Sequence, residues 1–408
     1  MKAISLSILL LSLLTISCIH QKEDTIYSAD PNTKLMIINL DKAERIDCLH
    51  FSSILDSPKT LILETNDECL IHSIHQMEEY CGKLYILDTY ENRLFVFNKE
   101  DGSFLYRIGK AGIGPGEYLE LSDFSIDRKN DVIYLWDEAL NKIHKYDLES
   151  REYQSSIKID KDGKCSFDFL YKDGYFYTNE TFYERSESNY ILKQINLNTA
   201  VKEKAYLKSN QYNKGWHLSL KQSHSSFYSK NMKSPKYVSM FMDTIVSISD
   251  GKIIPTFAIQ SNHFIQEKDV NKLMDDYYKN SGTYNFSDLH KSDKIYNISR
   301  YADLGEYVSF QYYQGADRKY VLYNIKNQKT KISNLFINDY IYKNNYIPMD
   351  FCYNDEDGVY TYLRSEFIPY FLENIIYPKL LNPNIDKYEQ LIRLDEDSNP
   401  ILFYHEYK

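Results

Sequence analysis

Small and chain-breaking residues are sparse in this chain: 14 glycines and 10 prolines in 408 residues, with alanine scarce as well. That composition is neither fibrous nor disordered, and it gives little support to a helical bundle. Basic charge is not in excess. Lys and Arg number 48 against 58 Asp and Glu, a net charge of −10 with no basic stripe, which argues against nucleic acid as a partner. The six cysteines are Cys18, Cys48, Cys69, Cys81, Cys165 and Cys352, too widely spaced for a disulfide framework. Beyond the N-terminus no stretch approaches 18 consecutive apolar residues, so no membrane-spanning helix is expected. What the chain has in quantity is aromatic side chains, 39 Tyr and 20 Phe, in a sequence 43% hydrophobic and 26% charged. These are strand formers in a globular composition.

Residues 1–17 carry one basic residue, Lys2, and an apolar run from Ile4 to Leu14, the pattern of an export signal. The run ends Leu14-Thr15-Ile16-Ser17-Cys18, which resembles a bacterial lipobox, although Thr15 stands where Leu is usual. This resemblance implies that Cys18 is acylated and becomes the mature N-terminus, leaving outer-membrane lipid as the anchoring partner. Residues 18–40 read as a lipidated tether and 41–408 as the folded unit. Within the tether, Gln21-Lys22-Glu23-Asp24 resembles the short acidic signal that sends lipoproteins to the outside of the outer membrane in Bacteroidota.

Self-similarity sets the architecture. A shift of 49 residues lays Leu84-Tyr85-Ile86-Leu87-Asp88 on Ile133-Tyr134-Leu135-Trp136-Asp137, and Asn92 on Asn141, without a gap. Each copy reads strand, turn, strand, turn, strand. A weaker third copy follows through Tyr175-Phe176-Tyr177 and Ile191–Leu197, and strand character persists at Val238–Ser249, Tyr320–Asn324 and Gly358–Leu363. A period of this length with several strands per unit predicts an all-β fold, a six-bladed β-propeller with small helical insertions. One insertion is expected at Gln266–Asn280, where Val270, Leu273, Met274, Tyr277 and Tyr278 share a helix face, and a second at Asn384–Leu394. Ile401–Tyr404, preceded by Pro400, reads as an edge strand that completes a blade begun at the N-terminus.

The repeat, the loop Arg107–Tyr118 and the C-terminal Asp-Ser-Asn-Pro-apolar pattern together resemble the six-bladed β-propeller lipoproteins of Bacteroidota. That resemblance implies fold and location and almost no chemistry.

Candidate chemistry is thin. Gly112-x-Gly114-Pro115-Gly116 lacks the helix N-terminus that a phosphate loop needs, so it reads as a blade-to-blade connection. With Glu117 and Tyr118 it is a candidate binding-face loop, and Trp216, beside Gly215 and His217, is a candidate loop aromatic. Cys69-x2-His72-x2-His75-x5-Cys81 superficially has zinc spacing, but on a strand the two histidines would face opposite ways. Asp88 and Asp137 recur by repeat and therefore read as turn residues. No catalytic residue, metal or cofactor is expected. The function implied is a surface-anchored binding module for a glycan, peptide or partner protein, with a hydrolase or lyase at the propeller's central channel as the alternative.

Overall fold

The repeated strands of the first two copies are so apolar that every residue of Val132–Asp137, and all but the first of Lys83–Asp88, is buried. Strands of this kind need neighbours on both faces, and radial stacking of sheets provides them. The computed structural model describes residues 35–159, 165–180, 189–218, 225–341, 350–376 and 387–408, and they form a six-bladed β-propeller. Blades 1 to 3 are four-stranded antiparallel sheets in chain order, with innermost strands Gln76–Tyr80, Leu121–Asp127 and Cys165–Lys172. Blade 4 begins at the two-residue strand Phe227–Tyr228, blade 5 at Ile295–Leu304 and blade 6 at Asp350–Asn354.

The N-terminal stretch laces the outside of the last three blades. Met36–Asn39 runs parallel to Lys252–Gln260 of blade 4, Glu44–Arg45 parallel to Thr330–Ser333 of blade 5, and Lys59–Ile62 antiparallel to Ile401–Glu406 of blade 6. The propeller therefore already includes Met36, inside the stretch assigned from sequence to the tether. The C-terminal segment does close the ring, but not as an edge. Ile401–Glu406 lies between Gly358–Leu363 and Lys59–Ile62, and the N-terminal strand is the edge. Pro400 sits just outside the ladder, where a missing donor costs nothing.

The expected helix at Gln266–Asn280 is observed as Glu267–Lys279, closed by a Gln266–Asp269 capping box, with Val270 and Met274 buried. Tyr278, on the expected buried face, is exposed instead. The second expected helix is reduced to Tyr388–Leu391 among the described residues, and 384–386 lie outside them. A helix the sequence reading missed, Ile368–Ile376, carries Pro369 in its first turn, where proline is tolerated, and buries Ile368 and Phe371 against Leu391, Ile401 and Phe403. Val238–Ser249 is not one strand: only Thr244–Ser249 is, after Lys236–Tyr237 and an intervening turn.

Candidate binding site in the central channel

The innermost strands are tied to one another around the channel by side chains rather than by ladders. Gln76 Nε2 donates to the Phe124 carbonyl (2.8 Å), the Phe169 N–H to Asp123 Oδ2 (2.8 Å), and the Ser226 N–H to Asp168 Oδ2 (2.8 Å). The Arg300 N–H donates to Tyr228 OH (3.0 Å), linking blades 4 and 5. Buried backbone groups that no strand can satisfy are satisfied by these polar side chains, which is why Asp123 and Asp168 sit within otherwise apolar strands.

At the end of the channel where the innermost strands finish, the connection after Phe227–Tyr228 crosses from blade 4 and grips four other blades. Ser229 Oγ donates to Asp303 Oδ2 of blade 5 (2.8 Å) and lies 3.2 Å from the side-chain amide of Asn354 of blade 6. Lys230 reaches Asp123 Oδ1 of blade 2 (2.6 Å), Asn231 Nδ2 donates to Tyr353 OH (3.1 Å), and Lys172 of blade 3 reaches the Met232 carbonyl (3.4 Å). This loop is a plug. Against it lies a cavity of about 150 Å³, lined by residues 74–78, 225, 227–231, 300–302, 351–354 and 362.

The wall is strained where it meets the cavity. Ile295–Leu304 shifts register twice, between Tyr296 and Ser299 and between Ser299 and Ala302, with Asn297 and Arg300 at φ of 53° and 51°. Ser229 is likewise left-handed, at φ 51°. Each non-glycine residue in this region costs on the order of 1 kcal/mol or more, and bulges of this kind re-aim side chains beside functional sites.

Electrostatically the cavity is built from compensated charge. Glu78, almost fully buried, bonds Arg128 at 3.0 Å, and Asp303 accepts from Ser229 and from Tyr301 OH (2.5 Å). Burial pushes the Asp123 carboxyl up against the pull of Lys230. Asp168 is pushed up to about 6 by burial and by the neighbouring charge of Asp123. Burial lowers the Lys236 ammonium, with Asp303 opposing the shift.

Of the residues singled out from sequence, His75 lines the cavity and the candidate binding-face residues lie elsewhere. None of Gly112, Gly114, Gly116, Glu117, Tyr118 and Trp216 lines the cavity. The glycine loop winds around its own glutamate: the Gly114 N–H donates to Glu117 Oε2 (2.8 Å), Lys110 pairs with the same carboxylate, and a Cβ at Gly112 would meet it at 2.1 Å. Gly116, at φ 74°, leaves room for the Tyr153 ring. Tyr118 is 1% and Trp216 5% exposed, the latter packed edge-on to Phe241, so both aromatics belong to the core rather than to a binding face. Cys18 lies outside the described residues. Asp88 accepts from the N–H groups of His72, Ser73, Tyr90 and Glu91, and Asp137 from those of Leu119, Glu120 and Leu140, so both tie a turn to the loop that enters their blade. Cys69 is buried, His72 stacks on Tyr90, and among the described residues no three His, Cys, Asp or Glu side chains gather as a metal site.

A family model described as "Domain of unknown function (DUF4934)" matches residues 35–406. The chain belongs to that family. Its fold is similar to the crystal structure of a Bacteroides fragilis protein described as a presumed exported protein, at 20% identity and a TM-score of 0.67, covering 92% of this chain and 100% of that one. A member of the DUF4221 family from Bacteroides vulgatus aligns at 11% identity and a TM-score of 0.48, over 87% of this chain and 97% of that one. No curated protein matches. Among the described residues no helix is long and apolar enough to cross a membrane. For this DUF4934 chain the comparisons carry the fold, and the chemistry has to come from the channel.

Proposed function

We propose that this DUF4934 protein is an outer-membrane lipoprotein, acylated at Cys18 and exposed on the cell surface, that binds a small ligand or the end of a larger one in the plugged channel. The observation that carries the binding reading is the cavity above Ser229, Lys230 and Asn231, with left-handed Ser229 and Arg300 in its wall. A rigid ring holding a strained, polar, aromatic-lined pocket is the arrangement expected of a binding site. The carboxylates that could serve catalysis are spent on structure: Asp123 on Lys230 and the Phe169 N–H, Glu78 on Arg128, Asp303 on Ser229 and Tyr301. Support for the location comes from the Ser17-Cys18 signal run and from the exported description of the B. fragilis relative in fold.

The test is to incubate the purified protein with a mixture of cell-surface oligosaccharides and peptides, recover what binds, and weigh it before and after. Ligand returned at unchanged mass supports a binding module. Shortened or unsaturated products would replace it with the hydrolase or lyase alternative. In cells, a labelled fatty acid should mark the wild type and not Cys18→Ala, and equal labelling of both would remove the anchor.

A further inference from the structure

We infer that the plug is a proton-controlled latch on the channel, held shut while the buried carboxylate of Asp168 carries a proton and loosened as that proton is lost. The latch is independent of what the channel binds. It starts from a segment without a ladder. Blade 4 opens with only Phe227–Tyr228, the chain leaves the sheet at left-handed Ser229, and it returns at Lys236–Tyr237. In between, side chains hold it across the channel: Ser229 to Asp303, Lys230 to Asp123 and Asn231 to Tyr353. A segment held in this way opens at lower cost than a core strand.

Two buried carboxylates share one ammonium beneath it. Asp123 of blade 2 takes Lys230 at 2.6 Å and the Phe169 N–H at 2.8 Å, and Asp168 of blade 3 takes the Ser226 N–H at 2.8 Å. Asp123 is 2% and Asp168 8% exposed. Lys230 closes on Asp123, so Asp168 is left without an ion pair among the described residues.

The other groups that face Asp168 do not replace that partner. His75, on the approach to blade 1, and Lys230 pull on it through space, while Tyr228 and Tyr237 of blade 4 are phenols whose ionisation burial suppresses. Arg300 of blade 5 stands by Tyr228. Farther along the channel Glu78 is closed on Arg128, Lys236 lies in the field of Asp303, and Glu79 and Asp355 act on Tyr353.

A buried carboxylate without a cation keeps its proton more readily than one in water. Burial, with the neighbouring charge of Asp123, raises Asp168 from 3.8 to about 6. Once the plug withdraws, water reaches the carboxylate and it ionises as an ordinary aspartate. Between those two values only the closed state holds the proton, so closure is favoured in acid and weakens as pH rises through 6. The ratio of open to closed plug should rise about ten-fold from pH 5 to pH 7.5.

The experiment is hydrogen exchange of the purified protein at pH 5, 6, 7 and 7.5, read by mass spectrometry over residues 229–235 and corrected for intrinsic rates. Relative to the core strand Val132–Asp137, exchange in the plug should increase about ten-fold over that range. Asp168→Asn, which keeps an acceptor for Ser226, should abolish the increase. Asp123→Asn should abolish it as well, because Lys230 then serves Asp168. Asp303→Asn should speed exchange at every pH and keep the increase, and His75→Gln should keep it too. A flat wild-type profile would overturn the latch, whatever the variants do. An increase retained in Asp168→Asn, or lost in His75→Gln, would overturn the assignment to Asp168.

Discussion

His405 lies buried in the strand that closes the ring, with Nδ1 3.0 Å from the Asp56 carbonyl and Nε2 3.0 Å from the Asn338 amide nitrogen. The first contact requires an N–H at Nδ1 and the second a lone pair at Nε2, so the folded state holds the neutral ring. Burial lowers its pKa from 6.5 to about 4. Between those values the unfolded chain binds a proton that the folded state refuses, so stability is complete above pH 6.5 and falls as pH drops through 4, by about 2 kcal/mol at pH 5. Asp168 acts in the opposite sense. Its pKa rises from 3.8 to about 6, so its contribution is complete below 3.8 and is lost as pH rises through 6, by up to about 3 kcal/mol. The two slopes oppose each other over the same window. Urea melts between pH 4.5 and 7.5 should therefore show little net change from these two groups in the wild type. Asp168→Asn, which keeps an acceptor for the Ser226 N–H, should be more stable at pH 7 and lose stability more steeply on acidification, and His405→Gln should gain stability on acidification. Parallel profiles for the three proteins would remove both assignments.

The plug is the element on which the channel depends, and its weight falls on one ion pair. Lys230 and Asp123 are 6% and 2% exposed at the side chain, and the ammonium also lies 3.4 Å from the Phe124 carbonyl. Removing one partner of such a pair strands a charge and costs about 3–5 kcal/mol, whereas removing both is often close to neutral. Lys230→Met should therefore lower stability by that amount in denaturant titration, and Lys230→Met with Asp123→Leu should recover most of it. Additive losses would mean that the pair is not coupled. Nothing in the sequence announced this contact, because its partners are 107 residues apart and belong to different repeats. The one signal is local: Asp123 stands in a strand all seven of whose residues are buried, a place where a carboxylate needs a partner. Blades 1 and 2 were legible because their strands keep an ungapped 49-residue register and matching turns, with Asn92 and Asn141 both left-handed. Blades 4 and 5 were not. The innermost strand of blade 4 is two residues long, and that of blade 5 is bulged twice, which destroys the two-residue alternation that sequence reading relies on. The lacing strands Met36–Asn39 and Glu44–Arg45 are too short to show any period.

Closure of the whole ring depends on both ends of the chain meeting in blade 6. Ile401–Glu406 pairs on both sides, and the contact continues as an Asp56 N–H to Glu406 carbonyl bond, a Leu55–Tyr407 bridge and a Lys408 N–H to Ile54 carbonyl bond. Because the strand is internal, its loss does more than fray an edge. Among the described residues Lys59–Ile62 loses its one sheet neighbour, Gly358–Leu363 becomes an open edge, and the buried side chains of Ile401, Leu402 and Phe403 leave the core. At about 1.5–3 kcal/mol for each such side chain, the loss is comparable with the whole stability of an ordinary domain. A chain ending at Asn399 should therefore lose its cooperative melting transition and aggregate through the exposed strand of blade 6. Adding a synthetic peptide of residues 400–408 in excess should restore the transition, since it supplies the same ladder and side chains in trans. A truncated protein that melts cooperatively at the wild-type temperature would show that the ring closes without its C-terminal strand, and the N-terminal lacing around blades 4 and 5 would then have to hold the propeller alone.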